Sequence, residues 1–353
     1  MSEMEMEFMT QMWTEIQEQP TVLQNCMRVN RETIEEIVDR IKEKHIDTVI
    51  IAARGTSDHA AVYAKYIIEI RLGIPVVLAA PSVFTIYGKT LKMKNSLVVA
   101  ISQSGCAADA LEVLKSAKEQ DALTVAVTNN VDSPLAREAG FHLFCATGTE
   151  ISVAATKTFT SEMYLMAQLT ACWSGDEDFK ERLSDVPRLV SETLERSGLI
   201  QQKVERYRFM NDCFVLARGV NYPIALESAL KIQETTYVRA RAYASSDFYH
   251  GPLAMVDEDT PVIIYAPKGE SLGDTKGIIH KLKDAGADLL IVSNDPETLA
   301  LGDCTIDIPD VDNDTITPFM NAVTAQMFAL HLALLKGRNP DSPRGLKKIT
   351  VTR

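Results

Sequence analysis

TVIIAARGTS, residues 48–57, is the stretch whose reading decides the architecture. Thr48–Ala53 is a continuous β-branched and small apolar run without polar alternation, the pattern of a strand buried on both faces of a parallel sheet. It runs into Arg54-Gly55-Thr56-Ser57, and a helix over Ala60–Arg71 follows, stopping at Leu72-Gly73. Further on, apolar runs predict strands around Pro75–Ala80 and over Leu97–Ile101. Next come the loop Ser102-Gln103-Ser104-Gly105, a helix over Ala108–Gln120 and a strand over Leu123–Thr128. On the other side, Ile34, Ile37, Val38 and Ile41 recur at helical spacing and predict a helix over Arg31–Lys44. Strands alternating with helices mean an α/β fold with a parallel sheet.

The second half repeats the plan. CFVLARG (213–219) matches VIIAARG (49–55), PVIIYAPKG (261–269) echoes SLVVAISQSG (96–105), and LLIVSND (289–295) echoes LTVAVTNN (123–130). The separation is 164 residues from Gly55 to Gly219, 164 from Gly105 to Gly269 and 165 from Asn129 to Asn294. Three strand–turn units at one offset indicate two copies of one α/β domain. The expected organisation is a helical arm over 1–30, a first domain over 31–175, a helical linker over 176–205, a second domain over 206–340 and a tail over 341–353. In the arm, Met4, Met9, Met12 and Trp13 are expected to pack against the body.

Composition narrows the class. At 353 residues, 46% hydrophobic and 24% charged, the chain reads as an ordinary globular protein. A net charge of −12 argues against nucleic acid or an anionic membrane as partner. Cys26, Cys106, Cys145, Cys172, Cys213 and Cys304 form no CxxC and no Cys/His pair at zinc spacing, so no metal site is expected. They read as free, mostly buried thiols of a reducing compartment. No signal peptide is recognised at the start, and no apolar run is expected to reach membrane-spanning length, so the expected localisation is cytoplasmic.

Ligands of a parallel sheet bind beyond the carboxyl ends of its strands. There, Gly55, Thr56 and Ser57, and Ser102, Gln103 and Ser104, offer hydroxyls and backbone N–H groups at helix starts, which suits a phosphate or sugar phosphate. Helix capping by the serines is the structural alternative. No GxGxxG or GxxxxGK[ST] is present, which disfavours a nucleotide of either kind. The corresponding loop of the second copy, Ala266-Pro267-Lys268-Gly269, has lost its hydroxyls, so one phosphate site per chain is expected. A third loop, 148–157 with Val153 and Ala154, either closes over the sugar or is held by capping from Thr149 or Thr156.

LESALKIQETTYVRARAYASSDFYHGP, residues 226–252, begins as a helix on which Lys231 and Glu234 share a face, and it brings His250 into a small-residue, turn-rich run. These three are either an acid–base set or a solvated ion pair with a turn histidine. In the tail, Leu346, Ile349 and Val351 suggest docking, which would carry a lysine toward amine chemistry.

RGTSDHAAVYAKY (54–66), APSVFTIYGKTLK (80–92), ISQSG (101–105), VAATK (153–157), ALESALKIQE (225–234), HGPLA (250–254) and GLKKITVT (345–352) together resemble the double sugar-isomerase (SIS) family over nearly the whole chain. The resemblance is to two groups: SIS-type glucosamine-6-phosphate deaminases, and the isomerase half of glutamine:fructose-6-phosphate amidotransferases. It implies two tandem SIS domains, each a flavodoxin-like α/β/α sandwich, with no metal or organic cofactor. It assigns sugar-phosphate binding to Gly55, Thr56, Ser57, Ser102, Gln103, Ser104, Val153 and Ala154. It assigns Glu234 as the base between C1 and C2, Lys231 as the lysine beside it, His250 as a ring-opening histidine lent by the other subunit of a homodimer, and Lys348 as the tail lysine that meets a keto-sugar. Cys106, Ala107 and Ala155 depart from the amidotransferase pattern. That group also needs a glutaminase domain with a cysteine after the initiator Met; Ser2 stands here, so the expected reaction is glucosamine-6-phosphate deamination. A deglycase of fructosamine- or glucoselysine-6-phosphate, an ammonia-dependent synthase and a non-catalytic sugar-phosphate sensor are the alternatives.

Overall fold

The structure is a computed structural model, and it describes residues 10–348. The chain divides into two compact units. One is built from residues 19–150 and 157–187, the other from residues 10–18, 151–156 and 188–348.

The first unit holds β1 (Thr48–Ala52), β2 (Val76–Leu78), β3 (Ser96–Ile101), β4 (Leu123–Thr128) and β5 (Phe141–Phe144) in the order β2-β1-β3-β4-β5, every pairing parallel. Period-two geometry splits the strand residues between two cores. Val49, Ile51, Val99, Val125 and Val127 face the helices Gln19–Lys44, Thr56–Leu72 and Lys157–Ser174, through Ile37, Val38, Ala64, Ile68 and Leu165. Ile50, Ala52, Val98, Ala100 and Ala126 face the helix Ala108–Glu119, through Val113, Leu114 and Ala117. Covering both faces is why these strands lack polar alternation.

The second unit holds β6 (Asp212–Ala217), β7 (Arg239–Ala244), β8 (Pro261–Tyr265), β9 (Asp288–Ser293) and β10 (Cys304–Asp307). Their order, β7-β6-β8-β9-β10, is again parallel throughout and repeats that of the first sheet. The repeat extends to side chains. Arg54 pairs with Asp109 at 2.8 Å, and Arg218 pairs with Asp274 at 3.1 Å. The Asn129 amide donates to the Gly148 carbonyl at 2.7 Å, and that of Asn294 to the Val311 carbonyl at 2.8 Å. Both units are therefore parallel α/β sheets of one topology.

Several expectations need correction. The helix expected over 31–44 starts at Gln19; Pro20 is tolerated in its first turn, where the missing N–H has no intrahelical partner. Strands β5, β7 and β10 were not expected, and each lies at a sheet edge. One run does reach membrane-spanning length: the helix Thr317–Leu335 is long and apolar enough, but 94% of its 18-residue apolar window is buried, and it packs on the helix Tyr222–Thr236. Met12 and Trp13 are buried in their own unit, while Met4 and Met9 lie outside the described residues. All six cysteines are free, four of them buried and Cys106 exposed.

Candidate active site

The helix Tyr222–Thr236 places Glu227, Lys231 and Glu234 four and three residues apart, on one face. The Lys231 ammonium lies 3.2 Å from Glu227 Oε1 and 2.5 Å from Glu234 Oε2. Side chains of Glu227 and Lys231 are 0% exposed, whereas that of Glu234 is 20% exposed. The solvated-pair reading is thereby excluded for Lys231. Burial favours loss of its proton, but the carboxylates of Glu227 and Glu234 outweigh burial and raise its pKa, so it stays an ammonium. It cannot act as a free amine base. It is held against Glu234, the one member of the triad whose side chain is partly exposed.

In the same unit, the loop 151–156 is held from three directions. Buried Glu15 accepts hydrogen bonds from the Ser152 hydroxyl and from the N–H groups of Ile151 and Ser152. The Val153 N–H donates to the Asp341 carbonyl at 3.3 Å, and the Asp341 carboxylate accepts from the N–H of Met12 at 2.8 Å. Lys348 donates to the Ser152 carbonyl at 2.7 Å. Lys348 is thus docked through its head group. Leu346, expected to help by its apolar side chain, is 44% exposed, and Ile349 and Val351 lie outside the described residues. Ala154 is fully buried and Val153 half-buried.

His250 is exposed and opens on a cavity of about 380 Å³ shared with Arg218, Ser246, Tyr249 and Asp274. Neither Lys231 nor Glu234 lines that cavity. Between Glu234 and His250 the chain forms β7, so the histidine does not follow the helix directly as a loop residue.

In the first unit, Gly55 makes the turn at φ 57°, and the helix begins at Thr56. Ser57 is buried, and its hydroxyl donates to Glu162 at 2.9 Å, so one of the expected phosphate hydroxyls has a structural bond. The half-buried Ser102, Gln103 and Ser104 follow β3. The Gln103 amide donates to Glu150 Oε2 at 2.9 Å, and Glu150 also accepts from Thr158 N–H at 3.2 Å, in the first turn of the helix Lys157–Ser174. An anion there suits the helix dipole. Gly105, at φ 64°, leaves no room for a Cβ, which would sit 2.1 Å from Ser133 Oγ. Its counterpart Gly269 faces Asp314 instead, with 2.5 Å from a Cβ to that side chain. A carboxylate at that place opposes a second phosphate.

The SIS domain profile matches residues 41–171 and 210–336. The chain belongs to the SIS domain family. Among similar proteins, the glutamine–fructose-6-phosphate aminotransferase (isomerizing) of Thermococcus kodakarensis is 35% identical over 96% of the chain, and that of Aquifex aeolicus 36% over 97%. The chain spans 58% and 57% of the length of these two relatives. Among solved structures, the C-terminal domain of glucosamine-fructose-6-phosphate aminotransferase from Francisella tularensis superposes with a TM-score of 0.84 at 29% identity, covering 95% of this chain and 98% of that one. Glucosamine-6-phosphate deaminase from Thermotoga maritima gives 0.78 at 22% identity, covering 97% and 100%, a likeness of fold.

Three residues escaped the reading of the SIS motifs. Glu227 was visible as an i−4 partner of Lys231 but was not paired with it. Glu150 stood inside the third loop without a recognised role. Glu15 carried no signal, since its partners are 136 and 137 residues away.

Proposed function

We propose that this SIS protein deaminates glucosamine-6-phosphate, giving fructose-6-phosphate and ammonia. The observation that carries the reading is the Glu227–Lys231–Glu234 triad, in which a buried ammonium holds one partly exposed carboxylate in place. In this reading the copy over 31–175 recognises phosphate through Gly55, Thr56, Ser57, Ser102, Gln103 and Ser104, with Val153 and Ala154 against the sugar. The copy over 206–340 carries the proton transfers.

His250, supplied by the second copy of a homodimer, assists opening of the pyranose; its exposure supports donation to another chain. Glu234 takes the C2 proton, the electron pair forms the C1–C2 double bond of an enolamine, and the C1 carbonyl electrons move to O1, which takes a proton from water. Glu234 returns the proton to C1, leaving an imine at C2. Water adds to that imine, and the C–N bond breaks with release of ammonia. Lys348 meets the C2 centre in its keto form. Adjacent carbons let one carboxylate serve both transfers, and six free thiols suit a reducing, cytoplasmic setting.

The relatives' shared name favours one second reading, ammonia-dependent synthesis, which is the same set of steps reversed. Purified protein incubated with glucosamine-6-phosphate is expected to release ammonia and fructose-6-phosphate in equal amounts. Binding without ammonia would replace the reading with a sugar-phosphate sensor; fructose-6-phosphate and ammonia converting only toward the amino sugar would establish the synthase.

A further inference from the structure

An acidic chain gathers cations at one cavity far in sequence from the phosphate loops. Arg208, Lys336, Arg338 and Arg344 line a cavity of about 510 Å³ together with Phe209 and Tyr237, and no carboxylate lines it. Two helices, Tyr222–Thr236 and Thr317–Leu335, end there, each bringing about half a negative charge. That is roughly one negative charge against the three cations Lys336, Arg338 and Arg344, so helix termination does not account for the cluster.

The four cations are not equivalent. Lys336 donates to the carbonyls of Arg208 and Met210, at 2.8 and 2.7 Å, which fixes the two edges of the cavity to each other. The guanidinium groups of Arg338 and Arg344 stack on the Tyr237 ring at 5.3 and 4.4 Å, which leaves their N–H edges pointing away from it. Neither makes an ion pair or a side-chain hydrogen bond among the described residues. Tyr237 is itself held, with φ 64° at the helix end and its hydroxyl accepting from the Arg344 N–H at 2.8 Å. Two oriented forks with unspent donors match phosphate oxygens. Phe209, 86% exposed at the rim, offers a ring to stack on.

We propose that this cavity binds a phosphate-bearing small molecule with a flat ring, of the nucleoside diphosphate class, with the phosphates on Arg338 and Arg344 and the ring against Phe209. Tyr237 terminates the helix that carries Glu234, and Arg344 begins the segment that leads to Lys348, so occupancy reaches both. The binding claim does not rest on the deaminase reading. Calorimetric titration of the full chain with ADP tests it, with inorganic pyrophosphate and adenosine as comparisons. Expected are saturable ADP binding, weaker pyrophosphate binding and no adenosine binding. Arg338→Gln/Arg344→Gln should weaken ADP at least about tenfold while Ser102→Ala/Ser104→Ala leaves it unchanged. Thermal melting confirms that both variants fold. No ADP binding at millimolar concentration, equal affinity in the arginine variant, or loss confined to the serine variant would each overturn the site.

Discussion

At Lys231 the side chain is fully buried and its charge is balanced by two carboxylates. Lys231→Met leaves Glu227 and Glu234 facing each other without a cation, and is expected to lower stability by about 3–5 kcal/mol in urea unfolding. Adding Glu227→Gln should recover much of that loss; a double variant no more stable than the single one would show that the ion pair is not the source. Glu234→Gln keeps the shape and removes the base. Turnover should fall by roughly two to four orders of magnitude with substrate binding nearly intact. Near-normal ammonia release by that variant would remove Glu234 from the mechanism.

Elements carry the next prediction. Glu15 links the helix Gln11–Gln17 to the loop 151–156 by three hydrogen bonds. Glu15→Ala should cost about 2–4 kcal/mol and speed amide exchange at Ile151 and Ser152. Unchanged exchange there would mean that other contacts hold the loop. Turn glycines differ in the same way. Gly55→Ala strains the backbone in open space, at about 1–3 kcal/mol, whereas Gly105→Ala adds a collision with Ser133, which caps the helix Pro134–Glu138, and should cost more in chemical unfolding. Legibility follows the same physics. Interior strands such as β1, β3 and β4 are buried on both faces, so TVIIAA and its relatives announce themselves. The edge strands β5, β7 and β10 need only one neighbour, and RARAYA in β7 keeps Arg239 and Arg241 exposed, which hides the strand in a charged pattern. Within the site, motif residues were legible because they are local. Glu15 and Asp341 were not, because their importance lies in partners more than a hundred residues away.

For the whole molecule, acid should act through His331. It is buried in the helix Thr317–Leu335, its ring within 3.0 Å of the Ser197 hydroxyl, and burial pushes its pKa from 6.5 down to about 4. A histidine neutral when folded supports stability fully above pH 6.5 and loses that support as pH falls toward 4. The loss amounts to about 3 kcal/mol at roughly 1.4 kcal/mol per pH decade. His331→Leu should flatten the stability difference between pH 7 and pH 4 relative to the unaltered chain; parallel curves would assign the acid sensitivity elsewhere. A homodimer is the other expectation at this scale, checked by sedimentation across a dilution series, with an active monomer as the opposing result.

The interleaving of the two units along the chain has a consequence for biosynthesis. The described residues of the unit built from 19–150 and 157–187 are all synthesised before most of the other unit, so the former can complete first. The other unit cannot. The amides of Gln11 and Met12 wait for the carboxylate of Asp341, 330 and 329 residues later, and the loop 151–156 waits with them. The first helix among the described residues, Gln11–Gln17, is therefore among the last parts of its unit to be fastened. A nascent chain stalled before residue 341 should protect residues 19–150 and 157–187 from protease while leaving residues 10–18 open to cleavage.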